Sequence, residues 1–169
     1  MTTLLLDEPH HVTVGTVGGA GDRTFLVQAE DDQHRVTLVA EKQQVEGIGD
    51  LLSRLLVRVD EGPADDWDRA AMEVREPVDP AWRIGRIEVG LDPDAGRFLL
   101  ELAAVEADDG EPFDEVVFTI DLDQARRLAA HADWLVDQGR PRCRLCGRPM
   151  DDDGEHVCPS TNGHGRLTV

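Results

Sequence analysis

Several residue types are scarce or missing in this chain. Tyrosine is absent, aromatic residues make up 4 % of the chain, and serine occurs only at Ser53 and Ser160. With 40 % hydrophobic residues but so few aromatic ones, a buried core has to be built from Val, Leu, Ile and Ala. Neither serine lies in a G-x-S-x-G motif, and no P-loop or G-x-G-x-x-G motif occurs. The signatures of serine hydrolases, P-loop enzymes and dinucleotide-binding proteins are therefore missing.

Positive charge is also scarce. The chain has 17 Lys and Arg against 35 Asp and Glu, a formal net charge of −18, and Lys42 is the only lysine. Such a surface repels phosphate backbones, so we expect no nucleic-acid partner. The exception is a group of arginines near the C-terminus: Arg126, Arg127, Arg140, Arg142, Arg144 and Arg148. They are solvated surface, donors to metal-bound thiolates, or a docking patch for an acidic protein partner.

Long hydrophobic runs are missing too. The N-terminal sequence MTTLLLDEPHH has no basic region and only three consecutive leucines, so it does not read as a signal peptide. No run approaches the ~18 apolar residues that a membrane span needs. The three cysteines form a single cluster, which favours a reducing compartment over a disulfide framework. We therefore expect a cytoplasmic protein that does not associate with membranes.

All three cysteines lie near the C-terminus, in a pattern typical of a metal site. Cys143 and Cys146 form a C-x-x-C pair followed by Gly147. In a zinc knuckle a tight turn holds two such thiolates about 3.5–4 Å apart, and the glycine lets the chain reverse. His156 and Cys158 are two residues apart, so an extended strand would project both side chains from one face. The spacing predicts structural Zn(2+) bound by Cys143, Cys146, His156 and Cys158.

Three other interpretations of this segment stay open. His164 is a rival fourth ligand, and three cysteines with an open position would suit a catalytic metal. A redox or zinc-sensing C-x-x-C is the third alternative. A redox motif of the thioredoxin type would open a helix, whereas here Gly147 and Pro149 follow at once and disfavour one.

Two halves of the chain repeat one pattern, three β-strands followed by an amphipathic helix. In the first half we expect strands at 11–17, 23–29 and 34–40 and a helix at 42–57. In the second half we expect strands at 82–90, 98–106 and 115–120, and a helix from a cap at Asp121 or Asp123 to about 136.

The two halves can be aligned as an internal duplication. RTFLVQA matches GRFLLEL, and Gln44 and Gln124 coincide. The predicted fold class is α+β, with duplicated β-β-β-α units forming antiparallel sheets, a helix on each, and a small C-terminal zinc ribbon or knuckle. Short connections favour antiparallel pairing. The expected domains are a body, 1–139 (repeats at about 9–59 and 82–138, linker 60–81), and a zinc-binding tail, 140–169.

One polar cluster interrupts the apolar junction between the third strand and the first helix. It comprises Glu41, Lys42, Gln43 and Gln44. Polar helix surface explains it most simply. The alternative is a groove between the repeats in which Lys42, Gln43 and Gln44 bind a small molecule.

The sequence resembles DUF3090, an actinobacterial family of unknown function, over nearly its whole length. The resemblance lies in three segments: Gly15–Ala29, VTLVAEKQQV at Val36–Val45, and the C-terminal sequence CRLCG…HVCPSTNG. Members of that family carry Tyr-Arg or similar after the NG, where this chain has His164-Gly-Arg. The resemblance thereby favours His156 over His164 as the fourth ligand.

The expected function is a non-enzymatic protein-interaction or regulatory module with a protein partner and no catalytic residues. The missing motifs, the acidity and the arginine-bearing tail favour it. The alternatives are a small-ligand binder or enzyme with a site between the repeats, and a redox or zinc-sensing switch. The sequence indicates no oligomeric state.

Overall fold

The computed structural model describes residues 2–6, 8–19, 21–106, 113–138, 143–148, 150, 156–159 and 166–167, with only the backbone described at 156–157 and 166–167. The helices are α1 (Lys42–Val57) and α2 (Leu122–Asp137), and a 3-10 turn spans Ala70–Met72. The strands are β1 (Thr3–Leu6), β2 (His11–Val17), β3 (Thr24–Glu30), β4 (Arg35–Ala40), β5 (Ile84–Asp92), β6 (Arg97–Ala104), β7 (Glu115–Ile120), β8 (His156–Val157) and β9 (Arg166–Leu167).

The strands form two main sheets, which confirms the α+β class. β2, β3 and β4 form an antiparallel three-stranded sheet, and α1 follows it. β5, β6 and β7 form an antiparallel meander followed by α2. We call β2–β4 with α1 the first unit and β5–β7 with α2 the second unit.

β1 is an addition that the sequence pattern did not indicate. It pairs in parallel with β7, with Thr3 opposite Glu115 and Leu6 opposite Phe118. Within both units the pairing is antiparallel, as predicted, and the parallel pair comes from β1, which lies outside the predicted units. Short connections enforce antiparallel order only between consecutive strands, and β1 and β7 lie far apart in the chain.

Both helices begin with a capping box built on the repeated glutamine. The side-chain oxygen of Gln44 accepts a hydrogen bond from the Glu41 N–H (2.8 Å), and that of Gln124 accepts one from the Asp121 N–H (3.0 Å). The amide nitrogen of Gln44 donates to the Ile84 carbonyl (2.9 Å), just as that of Gln124 donates to the Pro9 carbonyl (2.6 Å). Each glutamine thus ties its helix to the segment that enters the first strand of the other unit.

In the described part of the chain, one apolar core runs through both units. α1 packs on β3 and β5, α2 packs on β2 and β6, and the helices pack on each other. A β-carbon on Gly49 would lie 3.2 Å from the Ala132 β-carbon, so glycine allows this close helix approach. In the part of the chain that the structure describes, neither helix is long and apolar enough to cross a membrane.

The segment expected as a linker packs on the outer face of the three-stranded sheet. We call residues 69–78 the strap. The Gln28 amide pairs with the backbone of Arg75, accepting from its N–H (2.8 Å) and donating to its carbonyl (3.0 Å). The Thr13 hydroxyl donates to the Met72 carbonyl. A β-carbon on Gly15 would lie 2.2 Å from a Val74 methyl, so only glycine leaves room for the strap.

Beyond the strap, the chain joins the edge of β4 before it enters β5. The Ala81 N–H donates to the Thr37 carbonyl and the Val39 N–H donates to the Trp82 carbonyl, both at 2.9 Å. Val39 and Arg83 form a parallel bridge. The two sheets are therefore linked edge to edge through residues 81–83.

Candidate metal centre

The sulfur atoms of Cys143, Cys146 and Cys158 all lie within 4.8 Å of one another. The Sγ atoms of Cys143 and Cys158 are 3.7 Å apart. A disulfide bond would place two sulfur atoms about 2.05 Å apart. The three sulfurs thus form an unbridged cluster with the spacing that a shared metal ion requires.

The local turn around the C-x-x-C pair brings its two cysteines together. The Gly147 N–H donates to the Cys143 carbonyl (2.8 Å), and the Cys143 N–H donates to the Arg148 carbonyl (2.9 Å). Gly147 has φ 69°, in the left-handed region where glycine carries no steric cost. The glycine after the second cysteine is therefore required by the turn, as the sequence pattern predicted.

The cluster is a small apolar centre of its own. Cys143 and Cys158 are buried beside Met150, Cys146 is half-buried, and these residues form a packed group separate from the main core. Desolvation is the main factor that raises the pKa of the Cys146 thiol, and hydrogen bonds with the Cys143 and Cys158 thiols raise it further. A bound cation would oppose both effects, because it stabilises thiolates directly.

The predicted fourth ligand is only partly described. The His156 backbone lies in β8 and pairs with Leu167 of β9, two residues before Cys158. Its side chain lies outside the described residues, and so does the whole of His164. The choice of His156 over His164 stays a prediction.

The polar cluster at the start of α1 has a described structural use. Gln44 places its side chain in the capping box and on the Ile84 carbonyl. Lys42 is half-buried and Gln43 is exposed. A ligand role for these three residues stays a prediction.

A cavity lies beside the strap, and the sequence pattern did not indicate the residues around it. Trp67 and His131 are joined by a 3.1 Å hydrogen bond although 64 positions separate them. One sequence signal in this region is Trp67, a tryptophan within an otherwise polar segment.

The chain is acidic, and its described residues form an α+β fold with two helices, two main sheets and a C-terminal cluster of three cysteines that can hold a metal ion. The chain belongs to the family described as protein of unknown function (DUF3090), which matches residues 5–158. The expected family membership is thus confirmed. The matched range contains all three cysteines and His156 and ends before His164. No curated protein and no solved structure gives a significant match to the chain.

Proposed function

We propose that the cysteine cluster holds a structural zinc ion and that this end of the protein docks an acidic protein partner, without catalysis. The observation that carries the proposal is the mutual approach of the three sulfur atoms to within 4.8 Å. Zinc–thiolate bonds of about 2.3 Å in a tetrahedron separate neighbouring sulfurs by about 3.8 Å. The 3.7 Å between the Cys143 and Cys158 sulfurs agrees with that separation.

The donor set favours zinc over the hard divalent cations. Soft thiolates select Zn²⁺ and copper(I), whereas Mg²⁺ and Ca²⁺ prefer oxygen ligands. We assign His156 as the fourth ligand, which would close the tetrahedron. With four protein ligands the site would be closed, which supports a structural role, because catalytic zinc keeps a position for water or substrate.

The exposed surface of the turn supports a docking role. Leu145 is 60 % exposed between the two cysteines of the C-x-x-C pair, and Arg144 and Arg148 are exposed beside it. Positive charge around an exposed leucine stands out on a chain with a net charge of −18. A partner with an acidic rim around an apolar pocket fits this surface.

Metal analysis of protein purified without chelators or nickel resin tests the zinc assignment. We expect about one equivalent of zinc, lost in Cys143→Ser and Cys158→Ser because thiolates supply the main bonds. His156→Ala should lower zinc affinity, whereas His164→Ala should leave it unchanged. Less than about half an equivalent in the unmodified protein, measured by elemental mass spectrometry, would overturn the assignment.

Affinity purification from the native host tests the docking role. We expect a stoichiometric acidic partner that is lost in Leu145→Asp and in Cys143→Ser. Leu51→Asp changes another exposed leucine, on α1, and is the matched control that should keep the partner. Retention of the partner in Leu145→Asp would place the interface elsewhere. A purification without any partner would favour a small-ligand function.

A further inference from the structure

A cavity of about 390 Å³ lies between the two units, away from both sites that the sequence pattern indicated. Its walls are the end of β2, the strap and the C-terminal half of α2. The volume falls in the range of roughly 300–1,000 Å³ that small-molecule sites occupy. The cavity is therefore large enough for a ligand of modest size.

Arg69 brings a positive charge to this cavity. Its guanidinium carbon lies 4.9 Å from the centroid of the Trp67 ring and 5.3 Å from that of Trp134. Among the residues that the structure describes, no carboxylate lies within 4 Å of this guanidinium, although seven other arginines have such a partner: Arg35, Arg75, Arg83, Arg86, Arg97, Arg126 and Arg127. Aromatic faces orient the guanidinium and leave its N–H groups for an anion.

The wall behind Arg69 is held in place by a buried histidine. The Trp67 indole N–H donates to Nδ1 of His131 (3.1 Å), and His131 also hydrogen-bonds the Val14 backbone. The His131 ring stacks on Trp134 with centroids 5.3 Å apart. Burial lowers the pKa of His131, which favours the neutral ring, and Nδ1 of that ring accepts the hydrogen bond from the indole N–H. His131 is thus a positioning residue for both tryptophans.

The remaining lining decides what kind of anion fits. Val17, Val74, Val78 and Leu135 supply apolar surface, whereas Glu73 and Glu76 are exposed acidic residues of the lining. Two carboxylates on a protein of net charge −18 disfavour phosphates and other multiply charged anions. A single negative charge on an apolar body suits the lining.

We propose that this cavity binds a small organic monoanion, whose charged head pairs with Arg69 and whose aromatic or branched body packs against Trp134 and the valines. The proposal does not depend on the zinc site or on a docking partner. It also differs from a groove at Lys42, Gln43 and Gln44, which do not contribute to this cavity's lining.

The experiment is a fluorescence titration of the full-length protein with 8-anilinonaphthalene-1-sulfonate, followed by displacement with 4-phenylbutyrate. We expect one bound dye per chain, quenching of tryptophan emission, and displacement by the acid but not by the neutral 4-phenylbutyramide. Arg69→Gln should weaken dye binding by roughly tenfold or more, as expected for a lost charge-assisted hydrogen bond. Arg69→Lys should weaken dye binding less than Arg69→Gln, because lysine keeps the positive charge.

Two further variants control the test. Arg54→Gln removes an exposed arginine of α1 outside the cavity lining, and we expect wild-type binding. Val78→Trp fills the cavity and should abolish binding while zinc content stays unchanged. Equal dye affinity in Arg69→Gln and the wild type would overturn the proposal. The proposal would also be overturned if the amide displaced the dye as well as the acid does, or if the dye did not bind.

Discussion

His11 is a buried histidine in the first strand of the three-stranded sheet. Its side chain is 5 % exposed, and its Nε2 atom has no hydrogen-bond partner among the described residues. Burial is the largest factor that lowers its pKa to about 4, and the charges of Arg75, His10 and Arg35 lower it further. Glu30, directly opposite in β3, acts against this shift.

Because the pKa of His11 is lowered in the folded protein, we expect the free energy of unfolding to fall in mild acid. The His11 imidazole is mostly neutral above pH 6.5 in the folded and in the unfolded chain. Between pH 6.5 and pH 4 the unfolded chain binds a proton at this histidine and the folded chain does not, which favours unfolding. Folding stability should therefore fall as the pH drops from 6.5 towards 4, by roughly 2 kcal/mol at pH 5 for His11 alone. Urea unfolding between pH 7.5 and pH 5 measures this.

His11→Phe should reduce the pH dependence and leave the smaller contribution of buried His131, which has the same sign. His34→Phe, at an exposed turn position, controls for the removal of an imidazole. An unchanged pH dependence in His11→Phe would contradict the assignment.

At the scale of elements, local sequence patterns predicted the helices better than the strand ends. The predicted helix 42–57 coincides with α1, and of the two predicted caps, Asp121 and Asp123, the structure has Asp121 as the cap of α2. β5 begins at Ile84 instead of the predicted 82, because the Trp82 carbonyl accepts a hydrogen bond from Val39 of β4 and Arg83 forms an isolated bridge with the same residue. This pairing with β4 depends on tertiary packing, and the local sequence around Trp82 and Arg83 has no pattern that indicates it.

The two capping glutamines predict a matched pair of stability effects. Gln44→Ala and Gln124→Ala should each lower the free energy of unfolding by about 1–2 kcal/mol, because each removes a cap and a hydrogen bond to the other unit. Gln43→Ala, at the exposed neighbouring position, should change it by less than about 0.5 kcal/mol. Chemical denaturation of the three variants measures this. A cost at Gln43 as large as that at Gln44 would show that the junction does more than cap the helix.

At the scale of the whole molecule, the main core and the cysteine cluster are separate apolar groups. The body contains all the described contacts between the helices and the two main sheets. We therefore expect the proposed boundary near residue 140 to divide two parts of unequal stability.

Cys143→Ser tests that division. The substitution should abolish zinc binding but leave the helical circular dichroism signal and the main thermal transition of the body close to wild type. Leu52→Ala, in the fully buried face of α1, should instead lower the stability of the body by about 2–5 kcal/mol. Global unfolding of Cys143→Ser would show that the boundary is misplaced.

The sequence by itself determined the order of the elements in the two units, both helices and the cysteine spacing, because periodicity, caps and turns act between residues close together in the chain. The tertiary structure alone decided the parallel pairing of β1 with β7, the packing of the strap on the sheet and the cavity at Arg69. Each of these joins residues tens of positions apart. Such contacts depend on how the two units pack together, and packing between distant segments has no short-range sequence pattern.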